Sequence, residues 1–170
     1  FPVEGYPDMT SRMIDRRGLL AGLAALAVVA RLPAAAAEAL PPVTVSRDPS
    51  CGCCEAWVEH MRAAGFRVTV VDTTAINQVK ARLGVPQDLA SCHTAEVAGY
   101  VLEGHVPASA VVRLLSEQPA GTGLAVPGMP IGSPGMEVEG VEPDTYEVLL
   151  FGPAGRRAFA RYEGGRLIEG

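Results

Sequence analysis

Aromatic residues are scarce in this 170-residue chain, at 5%, and charged residues reach only 19%. Little charge beside 48% hydrophobic residues excludes disorder for most of the length, because there is enough apolar surface to bury a core. Positive charge is the scarcer kind: 14 Lys and Arg stand against 19 Asp and Glu, a formal net charge of −5. That excludes the basic stripe on which phosphate-backbone binding depends, and nucleic acid with it. A membrane-spanning run is also missing. The apolar stretch Leu19–Ala30 stops at Arg31 after 12 residues, against the roughly 20 needed to cross a bilayer. Internal repeats and a hydrophilic interdomain linker are absent, so the length argues for one folded domain. Gly and Pro are plentiful, at 19 and 14. They predict many turns and at least one irregular segment, and they exclude a long uniform helical bundle.

Residues Met9 to Ala37 read as an export signal: Arg16-Arg17 first, then the short apolar run, then Pro33 and the small residues Ala34 to Ala37. The order of basic start, apolar centre and small-residue end is that of a cleavable secretory signal. Consecutive arginines just before the apolar run match its twin-arginine type. Cleavage after Ala37 starts the mature chain near Glu38, giving a domain of residues 38–170, and residues 1–8 form an upstream extension. The signal removes four Arg and three acidic residues, leaving a net charge of −6, and keeps every Cys and His. The expected location is the periplasm, with no membrane contact after cleavage.

Val43 to Ser46 reads as a β-branched strand, and Asp48-Pro49-Ser50 as a turn ending in a helix N-cap. From Cys51 to Ala64 the apolar positions Cys54, Trp57, Val58 and Met61 recur at helical spacing, and Gly65 ends the run. Phe66 to Val71 reads as a strand, Ala75 to Leu83 as a helix, Gly99 to Leu102 as a strand and Pro107 to Leu115 as a third helix. Tyr146 to Phe151 and Ala158 to Tyr162 form a hairpin around Gly152-Pro153-Ala154-Gly155. The order β-α-β-α-β-α-β-β predicts a three-layer α/β domain with a central mixed sheet.

All four cysteines are in the mature chain: Cys51, Cys53, Cys54 and Cys92. An even number in an exported protein ordinarily means disulfides, but the spacing argues otherwise, since adjacent Cys53 and Cys54 cannot bridge without strain. Cys51, Cys53 and Cys54 lie where the first strand meets the first helix, so free N–H groups and the positive dipole end favour anionic sulfur there. Cys51 and Cys54 alone form a C-x-x-C redox pair. Three thiols in four residues, with Cys92 as a fourth, also make a soft nest suited to Cu(I), Zn²⁺ or an iron-sulfur cluster. Only one C-x-x-C knuckle is present, which disfavours a structural zinc site. His93 is a candidate ligand or a donor behind one. His60 sits two helical turns from Cys53, about 10 Å of rise, and cannot share its metal. His105, just before Pro107, reads as a helix-start residue. Met129 and Met136 lie in the Gly/Pro-dense segment Gly121 to Glu137 and are either further soft donors or gap-fillers over the core.

Taken together, several segments carry a resemblance: Cys51-Gly52-Cys53-Cys54-Glu55-x-Trp57, Ser91-Cys92-His93-Thr94-Ala95, Glu103-Gly104-His105-Val106-Pro107-Ala108, and the run from Ala125 to Glu137 with Met129 and Met136. They resemble the CopG-like copper-resistance proteins of the bacterial periplasm, over nearly the whole mature chain. The resemblance implies a thioredoxin-like fold, Cu(I) held by the four cysteines, and copper detoxification or relay with Cu(I)/Cu(II) redox chemistry. Other periplasmic copper-handling proteins become the expected partners. Four thiolates around a single Cu(I) would leave an uncompensated charge in a partly desolvated pocket, so more than one Cu(I) per chain is expected. Thiol-disulfide exchange at Cys51 and Cys54 is the alternative activity.

Overall fold

The computed structural model describes residues 39–170; the expected signal, residues 1–37 with Arg16 and Arg17, lies outside the described residues. The elements run β1 (Val43–Arg47), α1 (Gly52–Ala63), β2 (Val68–Asp72), α2 (Ile76–Arg82), a 3-10 turn (Gln87–Leu89), β3 (Thr94–Val97), β4 (Tyr100–Glu103), α3 (Ala108–Glu117), β5 (Gly123–Ala125), β6 (Thr145–Gly152), β7 (Gly155–Glu163) and β8 (Arg166–Glu169). All strands join one eight-stranded sheet in the order β2-β1-β3-β4-β5-β6-β7-β8. The two parallel pairs, β1 with β2 and β4 with β5, are each connected through a helix, α1 and α3 respectively. The rest is antiparallel, so the sheet is mixed.

Period-2 alternation divides the core between the two faces of this sheet. Val45, Ala95, Leu102 and Leu124 join Trp57, Val58 and Met61 of α1 and Val111 and Leu114 of α3 in one cluster. Val101, Ala125 and Phe151, each one step out of phase, join Leu83, Val85 and Leu89 in a second. Helical segments therefore cover both faces, in three layers. The apolar stripe expected on α1 is the one buried: Cys54, Trp57, Val58 and Met61 are all inaccessible. Among the described residues, no helix is long and apolar enough to cross a membrane.

Three strands extend the expected order. β3 begins inside the segment read as a polar turn, and it pairs with β4 through Ala98 and Gly99, both at positive φ. β5 crosses the Gly/Pro-dense segment read as a loop. Its Gly123 is what lets it do so, because a Cβ there would meet the Val101 carbonyl oxygen at 1.7 Å. β8, wholly exposed, adds the last edge.

Candidate metal centre

After β1 the chain turns through Asp48, whose carboxylate accepts both the Ser50 N–H, at 2.9 Å, and the Ser50 hydroxyl, at 2.5 Å. With its hydroxyl so engaged, Ser50 does not cap α1 as the sequence suggested. Cys51 takes that position, without a side-chain cap bond. The first turn of α1 thus opens directly onto sulfur. Antiparallel pairing then sets Ser46 of β1 opposite Thr94 of β3, which carries the residues just before β3, Cys92 and His93, to the same end of the sheet. The sulfurs of Cys51, Cys53, Cys54 and Cys92 all fall within 4.8 Å of one another.

Cys51 and Cys54 are joined by a disulfide, while Cys53 and Cys92 are free thiols. This corrects the expectation against disulfides. Strain forbids bridging the adjacent pair Cys53 and Cys54, but one helical turn leaves the Cα atoms of Cys51 and Cys54 5.4 Å apart, an ordinary bridging distance. Cys53 Sγ lies 3.5 Å from Cys51 Sγ.

Two imidazoles meet Cys92. His93 Nδ1 is 3.2 Å from its sulfur and His105 Nε2 is 2.9 Å from it. His105 Nδ1 donates to the Pro134 carbonyl at 2.7 Å, so that nitrogen carries the proton and Nε2 presents a lone pair to the sulfur. Burial lowers the pKa of both rings, which are neutral; for His93 the neighbouring His105 adds to the effect. Burial, reinforced by Cys53, pushes the Cys92 thiol up to about 12. Cys92 S–H therefore donates to His105 Nε2, and His93 Nδ1–H donates to the sulfur. His93 Nε2, packed against Trp57 with ring centroids 4.4 Å apart, is buried without a hydrogen-bond partner among the described residues.

His105 is the residue that sequence reasoning missed. It does precede α3, as read, but its ring is fully buried and faces the cysteines. Nothing local signals this, since the β3–β4 hairpin brings it to Cys92 across thirteen residues. His60 stays apart, as expected: its Nε2 accepts the Ala108 N–H at the start of α3, at 3.0 Å. The methionines divide. Met129 is 52% exposed, which suits neither gap-filling over the core nor a closed ligand shell. Met136 is half-buried on a loop whose Gly135 lies against the first turn of α1, where a Cβ would come 2.8 Å from the Cys53 carbonyl oxygen. That loop covers the centre through Pro134 and Gly135.

The donors fit a soft metal. Two groups of donors share Cys92, the four sulfurs and the trio Cys92, His93 and His105, and neither contains a carboxylate. Hard cations prefer oxygen; this set selects copper or zinc. A concavity of about 580 Å³ beside the β6–β7 turn, lined by Gly121, Phe151 and Arg156, shares no residue with the cluster.

A solved structure of a copper resistance protein, CopG, in a first form is 42% identical, covers 74% of this chain and 99% of its own, and superimposes with a TM-score of 0.68. The chain belongs to the CopG-like copper-resistance family. A second form of the same CopG structure matches at 42% identity and TM-score 0.68, over 72% of this chain and 98% of that one. The family model described as a protein of unknown function, DUF411, matches residues 89–136. That stretch holds Cys92, His93, His105, Met129 and Met136, but not the α1 cysteines. No curated protein matches the chain.

Proposed function

We propose that this chain is a periplasmic copper-binding protein that holds Cu(I) on Cys51, Cys53, Cys54 and Cys92 for detoxification or relay. The observation that carries the reading is the convergence of four sulfurs within 4.8 Å, in a chain similar to a copper resistance protein. In the bridged state Cys53 and Cys92 remain as thiols, with His105 Nε2 and His93 beside Cys92. Reducing the bridge restores four thiols and room for thiolates shared between ions, the basis for more than one Cu(I). His105 is preset for ligation, because Pro134 holds its proton on Nδ1. The basic, apolar and small-residue order of residues 9–37, read as an export signal, supports the periplasmic location, and copper-handling proteins there are the proposed partners.

The bridge between Cys51 and Cys54 also motivates a second reading, disulfide exchange. A pair at a helix start that interconverts dithiol and disulfide stores two electrons. Closing the dithiol against two cupric ions would give a disulfide, two cuprous ions and two protons released to solvent, which joins both readings in one cycle.

Anaerobic Cu(I) titration of the bridged and the reduced chain tests the proposal, with a thiol-reductase assay alongside. We expect the reduced chain to bind more Cu(I) than the bridged chain and to show little reductase turnover. Equal binding in both states, with rapid turnover, would replace copper storage by disulfide exchange.

A further inference from the structure

Glu103 is wholly buried, and Lys80, the only lysine in the sequence, is 6% exposed. A buried ion pair is weak ground for stability, since apolar residues of similar volume often serve as well or better. The geometry assigns this one another role. Glu103 Oε1 accepts Lys80 Nζ at 2.5 Å and the Ser91 N–H at 2.6 Å, and Oε2 accepts the Thr94 hydroxyl at 2.6 Å. Lys80 Nζ also donates to Thr94 Oγ1 at 2.9 Å. Ser91 and Thr94 flank Cys92 and His93. One carboxylate therefore grips both ends of the four-residue segment that carries two donors of the site.

The same residue leads the chain to the third donor. After Glu103, Gly104 donates its N–H to the His93 carbonyl at 3.0 Å. It sits at φ +71°, where a Cβ would meet Ser91 Cβ at 2.6 Å and the Val126 carbonyl oxygen at 2.7 Å. His105 follows, with Nε2 2.9 Å from Cys92 Sγ. Both sides of the Cys92–His105 contact are thus anchored at Glu103.

We propose that Glu103, with Lys80 as its buried counter-ion, is a positioning residue of the metal site that fixes Cys92 and His93 opposite His105. The inference rests on the copper reading given above. Two variants of the full chain test it: Lys80→Met/Glu103→Leu, which fills the space without the grip, and Thr94→Val, which removes one donor and leaves the core shape intact. In metal-free protein with Cys51 and Cys54 bridged, iodoacetamide should modify Cys92 severalfold faster in the double variant than in the unmodified chain. Cys53, the internal reference, should keep its rate, and the thermal midpoint should fall, because the Ser91 N–H and the Thr94 hydroxyl lose their acceptor. Cu(I) affinity of the reduced form should fall by roughly 10–100-fold. Thr94→Val should show the same Cys92-selective rise in smaller measure, and it decides the question alone if the double variant does not fold. An unchanged Cys92 rate, or a parallel rise at Cys53 and Cys92, would overturn the positioning role. Absence of Cu(I) binding in the unmodified chain would overturn the copper reading, while the alkylation ratio would still decide the role of Glu103.

Discussion

Cys92 must give up a proton before it can hold a metal. Burial and Cys53 push its thiol to about 12, so at neutral pH a soft ion displaces that proton, and binding strengthens as pH rises. The logarithm of Cu(I) affinity plotted against pH should therefore be steeper in the unmodified chain than in Cys92→Ser, by one proton. Identical slopes in competition titrations would mean that Cys92 is not a ligand. The histidines act on stability instead. His60, His93 and His105 all have pKa values lowered, chiefly by burial, from the ordinary 6.5. The folded chain then binds fewer protons than the unfolded chain below that value, so stability is full above about pH 6.5 and is lost as pH falls through it. Urea midpoints of the metal-free protein should drop between pH 7.5 and pH 5.5, and a constant midpoint would contradict neutral buried rings. For His60 the protonation would also remove the acceptor at the start of α3.

The centre joins four pieces: the first turn of α1, the segment entering β3, the β4–α3 connection that carries His105, and the loop through Pro134 and Gly135. Gly135 holds φ +87° and has no space for a Cβ, which would lie 2.7 Å from Trp57 N and 2.8 Å from the Cys53 carbonyl oxygen. Gly135→Ala should destabilise the fold by at least about 1 kcal/mol, read as a lower denaturation midpoint; an unchanged midpoint would show that the loop does not rest on α1. Elements with a strong period were legible in the sequence. α1 declared itself through Cys54, Trp57, Val58 and Met61, and β6 and β7 through alternation about a Gly-flanked turn. β3, β5 and β8 were not, each for a physical reason. The β3–β4 turn uses Ala98-Gly99 in place of the Asn-Gly that usually marks such a turn. β5 is three residues long and depends on Gly123, a residue that reads as loop. β8 buries nothing, so no pattern marks it.

At the scale of the described domain, the donors gather at one end of the sheet because β1 and β3 run antiparallel there. Three cysteines were legible as a site because four consecutive residues carry them. Cys92 followed from the expectation that strand ends lie side by side. His105 did not, because its distance to Cys92 is created by strand pairing and by a glycine at positive φ, neither of which has a local signature. The central claim is that Cys92 closes a four-sulfur site, and one measurement tests it most directly: anaerobic Cu(I) titration of the reduced chain and of Cys92→Ser, followed by native mass spectrometry with folding checked by circular dichroism. We expect more than one Cu(I) per unmodified chain, and fewer ions or weaker binding in a folded Cys92→Ser. Saturation at a single ion, or Cys92→Ser binding copper as the unmodified chain does, would contradict it.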